Sequence, residues 1–167
     1  LQRLQATFPE ARNIIRAMPN TPGQVGAGIT GFAALREITK DDHARTLAIL
    51  GALGEVIEFD EPALDAVTAV SGSGPAYLFE FTAALAEAGL RMGLRVDQAS
   101  QLARETVIGA GRLLEASPHS AEELRNQVTS PGGTTEAALR VLADRGFRNV
   151  FEEAVAAARD RSEELAG

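Results

Sequence analysis

The sequence contains no cysteine. Disulfide scaffolds, thiolate zinc sites and cysteine nucleophiles are therefore excluded. With two histidines, His43 and His119, and no cysteine, it offers no transition-metal ligand set of the usual kind. Tryptophan is absent and aromatic residues make up 5%. Lys40 is the only lysine, which leaves Schiff-base chemistry a single candidate. Positive charge is scarce: the net charge is −7, and no Lys/Arg cluster marks a nucleic-acid surface. No apolar run reaches the ~18 residues of a membrane span. The start has neither an initiator Met nor the basic and apolar stretches of a signal peptide. Leu1 to Gln5 reads as the tail of a helix already under way, as though residue 1 were an interior point of a longer protein.

What is present points to packed helices. Thirty of the 167 residues are alanine, and hydrophobic residues make up 45%, which excludes disorder. Two early segments depart from the helical period. Asn13 to Met18 is apolar and β-branched and stops at Pro19. Val25 to Leu35 is glycine-rich and alternates. Between them, Met18-Pro19-Asn20-Thr21-Pro22-Gly23 predicts a rigid loop. Thr39 can cap a helix that ends at Gly51 to Gly54, and Gly54 to Phe59 alternates as a third strand.

Six helices are expected after that. Ala63 to Val70 is a short apolar one. Pro75 suits a first helical position with Ser73 or Gly74 as cap. Ala76 to Met92 is apolar on nearly every face, which calls for a partner subunit to bury it. Asp97 is the expected cap of the next helix, which holds Gly109 and Gly111 inside it; close approach of another backbone would compensate their cost of ~1 kcal/mol each. Ser120 to Glu123 is a capping box. Val128 to Thr135 interrupts the helices, the next starts near Thr135, Gly146 breaks it, and a last one runs from about Asn149 to Leu165.

Candidate chemistry is sparse in acid/base terms. Glu58, Asp60 and Glu61 cluster after the third strand, as a solvated turn or as a carboxylate facing a cation. His43 and His119 read as surface residues. Two Gly/Ser/Thr segments, Ser71 to Pro75 and Ser130 to Thr135, each precede a helix. The first turn of a helix has unpaired N–H groups and partial positive charge, so such a segment is either a cap or a small-anion site. Gly72 and Gly74 are not a dinucleotide fingerprint, because Tyr77 stands where GxGxxG needs its third glycine.

MPNTP at 18–22, SGSGPAY at 71–77 and VTSPGGTT at 128–135 resemble, in order and spacing, the pyrroline-5-carboxylate reductase family. The likeness runs from about Asn13 to the C-terminus. It implies a mainly α fold: a helical dimerisation domain like the C-terminal domain of 6-phosphogluconate dehydrogenase, at 61–167, preceded by a short β remnant of an N-terminal Rossmann domain at 1–60. That domain's glycine-rich turn, which holds the cofactor pyrophosphate in the family, does not occur in this sequence. The implied reaction is reduction of 1-pyrroline-5-carboxylate to L-proline by NADPH or NADH, in the cytoplasm, by a homodimer open to further assembly, with no nucleic acid or membrane as partner. A chain without the Rossmann turn is expected to be inactive alone.

The resemblance also implies roles for residues. Thr135 is catalytic, its hydroxyl nearest the ring nitrogen. Ser130, Gly133, Thr134 and Thr135 hold the substrate carboxylate, and Glu61 lies near the substrate, where it favours the protonated imine. Asn20 and Thr21 belong to the loop at the nicotinamide end, and Gln127 contacts cofactor from the partner subunit. Two other readings stand beside this one. The first is a non-enzymatic helical dimerisation module that binds a small carboxylate. The second is a β-hydroxyacid-dehydrogenase-like oxidoreductase, where a helical lysine would be catalytic; Lys40 lies far in sequence from both glycine segments.

Overall fold

A computed structural model describes residues 1–166. It divides into two compact units: Leu1–Pro75 with the stretch from Ala154 onward, and Ala76–Glu153.

The first unit is built on a three-stranded sheet in the order β1 (Ile15–Met18), β2 (Gly28–Ala34), β3 (Gly54–Glu58). A short helix α1 (Gln2–Thr7) precedes it. β1 runs antiparallel to β2, with Met18 opposite Gly31, and β2 runs parallel to β3, with Gly28 opposite Gly54. The parallel pair needs a crossover. α2 (Lys40–Leu50) supplies it, started by Thr39, whose hydroxyl accepts the Asp42 N–H at 3.1 Å. β2 is the central strand and holds the core: Thr30, Phe32 and Ala33 are buried, with Leu64 from the helix after β3. Gly54 has φ +133, and a Cβ there would lie 2.0 Å from the Gly28 carbonyl oxygen, so the start of the parallel pair requires glycine.

The expected loop after β1 contains a 3-10 turn, Thr21–Val25, closed by Gly26 at φ +72. After β3 a 3-10 turn (Glu61–Ala63) leads into α3 (Leu64–Val67), a π turn (Thr68–Gly72) and α4 (Gly74–Arg91). This corrects the expectation of a cap at Ser73 or Gly74. Ser73 has helical φ, ψ of −83°, −22°, and the chain stays helical through it because its N–H reaches back to the Thr68 carbonyl at 2.8 Å.

The second unit is helical. α4 turns at Gly93 (φ +95) into α5 (Val96–Ala116). Arg95, not Asp97, is the N-cap residue. The Gln98 side chain takes the Arg95 N–H at 3.4 Å, and Asp97, inside the first turn, receives two bonds from the Arg95 guanidinium at 3.2 and 2.8 Å. The α4–α5 seam is made of small residues. Gly89 is buried, and a Cβ on it would lie 3.2 Å from the Cβ of Ala99, itself buried. α6 (Ala121–Gln127) begins with the expected capping box: the Ser120 hydroxyl accepts the Glu123 N–H at 3.2 Å and the Glu123 carboxylate accepts the Ser120 N–H at 2.7 Å. α7 (Thr134–Asp144) and α8 (Phe147–Ala166) follow, with Gly146 at φ +67 between them. The ring of Phe151 meets that of Tyr77 edge-on, with centroids 5.6 Å apart. Among the described residues no helix is long and apolar enough to cross a membrane.

Candidate active site

The MPNTP and SGSGP motifs, some 50 residues apart, meet in the first unit. Pro19 ends β1, and Asn20 leaves it in extended conformation. The Asn20 Oδ1 accepts the Ile29 N–H at 2.9 Å, and its Nδ2 donates to the Ser71 carbonyl at 3.2 Å. Both ends of this amide thus serve the protein, while Thr21, the next residue, is exposed at the start of the 3-10 turn. Gly72 lies against Met18: a Cβ there would be 2.7 Å from the Met18 Cε. Ser71 to Pro75 is no open cradle of donors. The Ser71 hydroxyl donates to the Val67 carbonyl at 2.9 Å, and the Ser73 amide is used by the π turn.

The three acidic residues after β3 separate. Glu58 turns to His43, with Oε2 3.1 Å from Nε2. Glu61 turns to Arg16 on β1, at 3.7 Å. The other guanidinium nitrogen of Arg16 lies 3.8 Å from Asp65, which accepts the Ser162 hydroxyl at 2.6 Å. Glu61 is thus a carboxylate facing a cation, on a short turn fixed by Pro62. His43 stacks obliquely on Phe32, with centroids 6.1 Å apart. His119 is exposed, and its imidazole is held near Glu123 at 3.9 Å.

VTSPGGTT behaves differently. In the second unit it links α6 to α7. The Thr129 hydroxyl closes α6 by donating to the Arg125 carbonyl at 2.6 Å. Gly132 takes φ +72, which a residue with a side chain rarely adopts. The Gly133 N–H donates to the Ser130 carbonyl at 3.0 Å. Gly133 is the N-cap residue of α7, and no side chain caps that end. Thr134 and Thr135 are therefore the first two helical residues, one position earlier than the sequence pattern indicated for the helix start. Thr135 is half-buried, and its hydroxyl makes no hydrogen bond among the described residues. Ser130 and Thr134 are exposed, as is Gln127, the last residue of α6. With the Gly133 amide turned to Ser130, what the segment offers a small anion is the first-turn N–H groups of Thr134 and Thr135 and the hydroxyls.

Glu136 was missed by the sequence reading. Its carboxylate accepts the Gly132 N–H at 2.7 Å and pins the αL turn. The signal was an acid three residues past the N-cap, the position from which a side chain reaches back. Behind it, an open groove carries Arg125, Arg140 and Arg148. Arg148 donates to Glu122 at 2.5 Å, and that bond, reinforced by the charge of Arg125, holds the Glu122 carboxyl below its usual range. No cluster of metal-ligating side chains occurs among the described residues.

The family model described as pyrroline-5-carboxylate reductase dimerisation matches residues 61–165. The chain belongs to that family. The match opens at Glu61 and contains both SGSGPAY and VTSPGGTT. A pyrroline-5-carboxylate reductase of Synechocystis is 48% identical over 165 residues, 99% of this chain and 61% of that protein. The Escherichia coli protein of the same name is 39% identical over 165 residues, again 99% of this chain and 61% of its own length. Among solved structures, a pyrroline-5-carboxylate reductase from Coxiella burnetii superimposes with a TM-score of 0.92 at 42% identity, over 97% of this chain and 60% of that one. A Plasmodium falciparum pyrroline carboxylate reductase with NADP bound gives 0.88 at 29% identity, over all of this chain and 66% of that one. The chain thus spans about 60% of the length of most of these relatives.

Proposed function

We propose that these residues are the substrate-binding and dimerising part of a pyrroline-5-carboxylate reductase, which reduces 1-pyrroline-5-carboxylate to L-proline with NADPH or NADH in the cytoplasm. On this reading residues 1–60 are the end of a nucleotide-binding domain and 61–167 the helical domain, and the working enzyme is a homodimer or an assembly of dimers. The observation that carries the reading is the family match over 61–165, together with a VTSPGGTT segment folded as an uncapped helix start.

The chemistry fits a site without an acid/base dyad. The substrate is a cyclic imine with one carboxylate, and its ring nitrogen is readily protonated. When bound, the cofactor supplies a hydride to the C=N carbon. The π electrons of that bond move to nitrogen, whose proton is already in place, so no strong acid is required of the protein. Positioning provides much of the rate. The amides of Thr134 and Thr135 and the hydroxyls of Ser130, Thr134 and Thr135 hold the carboxylate, Gly133 shapes the turn beside it, and the Thr135 hydroxyl lies toward the ring nitrogen. A carboxylate at Glu61 favours the iminium. For the cofactor, the residues present fit: Thr21 offers an exposed hydroxyl at the nicotinamide end, beside the loop that Asn20 holds, and Gln127 offers an exposed amide to the cofactor of the partner subunit. Phosphate contacts fall to residues outside these 167.

The test is steady-state kinetics on the full-length protein. NADPH or NADH oxidation that depends on the imine acid and yields L-proline is expected, with poor turnover from the 167 residues alone. A folded full-length protein that binds the imine acid without reducing it would overturn the reading.

A further inference from the structure

The bond between Asn20 and Ser71 has its origin in the covalent chemistry of proline. In an α-helix the carbonyl of residue i accepts the N–H of residue i+4. The chain is helical from Leu64 through the π turn into α4. The residue that would serve the Ser71 carbonyl is number 75, which is Pro75 and has no N–H. The proline ring also crowds that carbonyl and tilts it away from the helix axis. Just before it the ladder slips to five-residue spacing, as the Ser73 N–H bonds to Thr68. A half-buried carbonyl deprived of its partner must find another donor. Asn20 Nδ2 supplies it at 3.2 Å, from a side chain already fixed by the Ile29 amide at 2.9 Å. Met18, two residues earlier, packs on Gly72, where a Cβ would lie 2.7 Å from its Cε and push the methionine tip aside.

We infer that Asn20 is a positioning residue whose partner is the carbonyl that Pro75 leaves without its helical donor, and that this pair sets the backbone of Ser71–Gly74. Asn20 then acts on the proposed reductase site through Ser71 instead of by touching the cofactor. Only this catalytic consequence rests on the proposed function; the structural pairing stands by itself.

The test is amide hydrogen exchange on the full-length protein with three variants. Asn20→Ala loses both bonds, so exchange at Ile29 and Ser73 quickens, by about five-fold for one neutral hydrogen bond. Asn20→Asp keeps an acceptor for Ile29 but has no donor for Ser71, so Ile29 stays protected and Ser73 quickens. Asn20→Asp/Pro75→Ala returns an N–H to position 75, and protection at Ser73 recovers. Wild-type exchange at Ser73 in Asn20→Asp, or no recovery in the double variant, overturns the inference. If Asn20→Asp does not fold, folding of the double variant supports the inference and failure of both overturns it. In kinetics, Asn20→Asp lowers kcat, leaves the cofactor KM in place, and is rescued by Pro75→Ala. A direct cofactor contact would instead raise the cofactor KM in both variants and show no rescue. Loss of the imine-reductase reading would leave the exchange result untouched.

Discussion

Thr135→Ala separates the proposed binding role from a capping role, because the structure makes Gly133 and not Thr135 the cap residue. Gly133 is the N-cap of α7, and Thr135 is the second helical residue with no capping bond. A true Thr cap replaced by Ala loses ~1 kcal/mol of stability. Thr135 has no such bond to lose, and alanine is the better helix former by a few tenths up to ~0.7 kcal/mol. The melting temperature should therefore hold or rise slightly, within the ~2–4 °C that 1 kcal/mol shifts a domain of this size. Activity should behave otherwise. A hydrogen bond to a charged group contributes roughly 1.5–3 kcal/mol, so kcat/KM of the full-length enzyme should fall about ten- to a hundred-fold. Thr135→Ser should keep most of the activity, and Thr135→Val, which retains the shape and loses the hydroxyl, should resemble alanine. Steady-state kinetics and thermal melts on the same preparations decide the matter. Wild-type kcat/KM in both the Ala and Val variants would refute the assignment.

Gly31→Ala should cost about 1–3 kcal/mol, since its Cβ would sit 2.6 Å from Val67 Cγ1, and Val67→Ala in the same chain should recover part of it. Denaturant midpoints report both, and an unshifted single variant would contradict the packing. Gly109→Ala discriminates by sign: among the described residues nothing lies within 4 Å of a Cβ at that site, so a solvent-facing helix would gain ~1 kcal/mol. A glycine reserved for a partner helix would instead make melting more concentration-dependent as the dimer weakens, which is the expected outcome. Acid should loosen the start of α6. The Glu123 carboxyl is held below its usual range by the Ser120 amide and hydroxyl, so its contribution is full above the ordinary carboxylate range and disappears as pH falls through the lowered folded value. Amide exchange in residues 121–124 should quicken over that window in wild type, and Glu123→Gln should be flat across it.

The strands and most helix ends were legible in the sequence because their signals are local. Thr39 and Ser120 cap as their spacing requires, and Gly54 must start β3 because Gly28 crosses it. The failures are equally local in cause. Asp97 has a cap's chemistry, but the chain leaves its turn two residues sooner, since Gln98 serves the Arg95 amide first. Ser73-Gly74-Pro75 has the pattern of a helix start. The amides that would mark one are taken up by a π turn, which depends on tertiary contacts from Asn20 and Met18 that no window of sequence contains. Glu136 escaped notice because its partner is the Gly132 amide, visible only once that glycine adopts φ +72. The glycine and hydroxyl segments before α4 and α7 offer the same choice in sequence between a cap and a small-anion site; the fold draws the first into a π turn and leaves the start of α7 without a side-chain cap.

The second unit by itself leaves its strongest driving force unspent. Its buried positions are Gly89, Ala99 and Ala103, the small residues of the α4–α5 seam. Meanwhile Phe79 is 68% exposed, Phe81 48%, Leu102 57%, Leu113 53% and Leu114 48%. Fully burying such a side chain contributes ~1.5–3 kcal/mol, so covering the exposed half or so of these five represents roughly 4–8 kcal/mol per copy. Association costs an estimated ~4–15 kcal/mol, so they offset much of that cost before α7 and α8 add Val141 and Val150. Gly109 and Gly111 fit the same account. They weaken α5 as an isolated helix by ~1 kcal/mol each, yet none of the described residues uses the space they leave. A surface that gives up helix stability to stay flat, between large apolar side chains that stay uncovered, makes physical sense when a second copy lies on it.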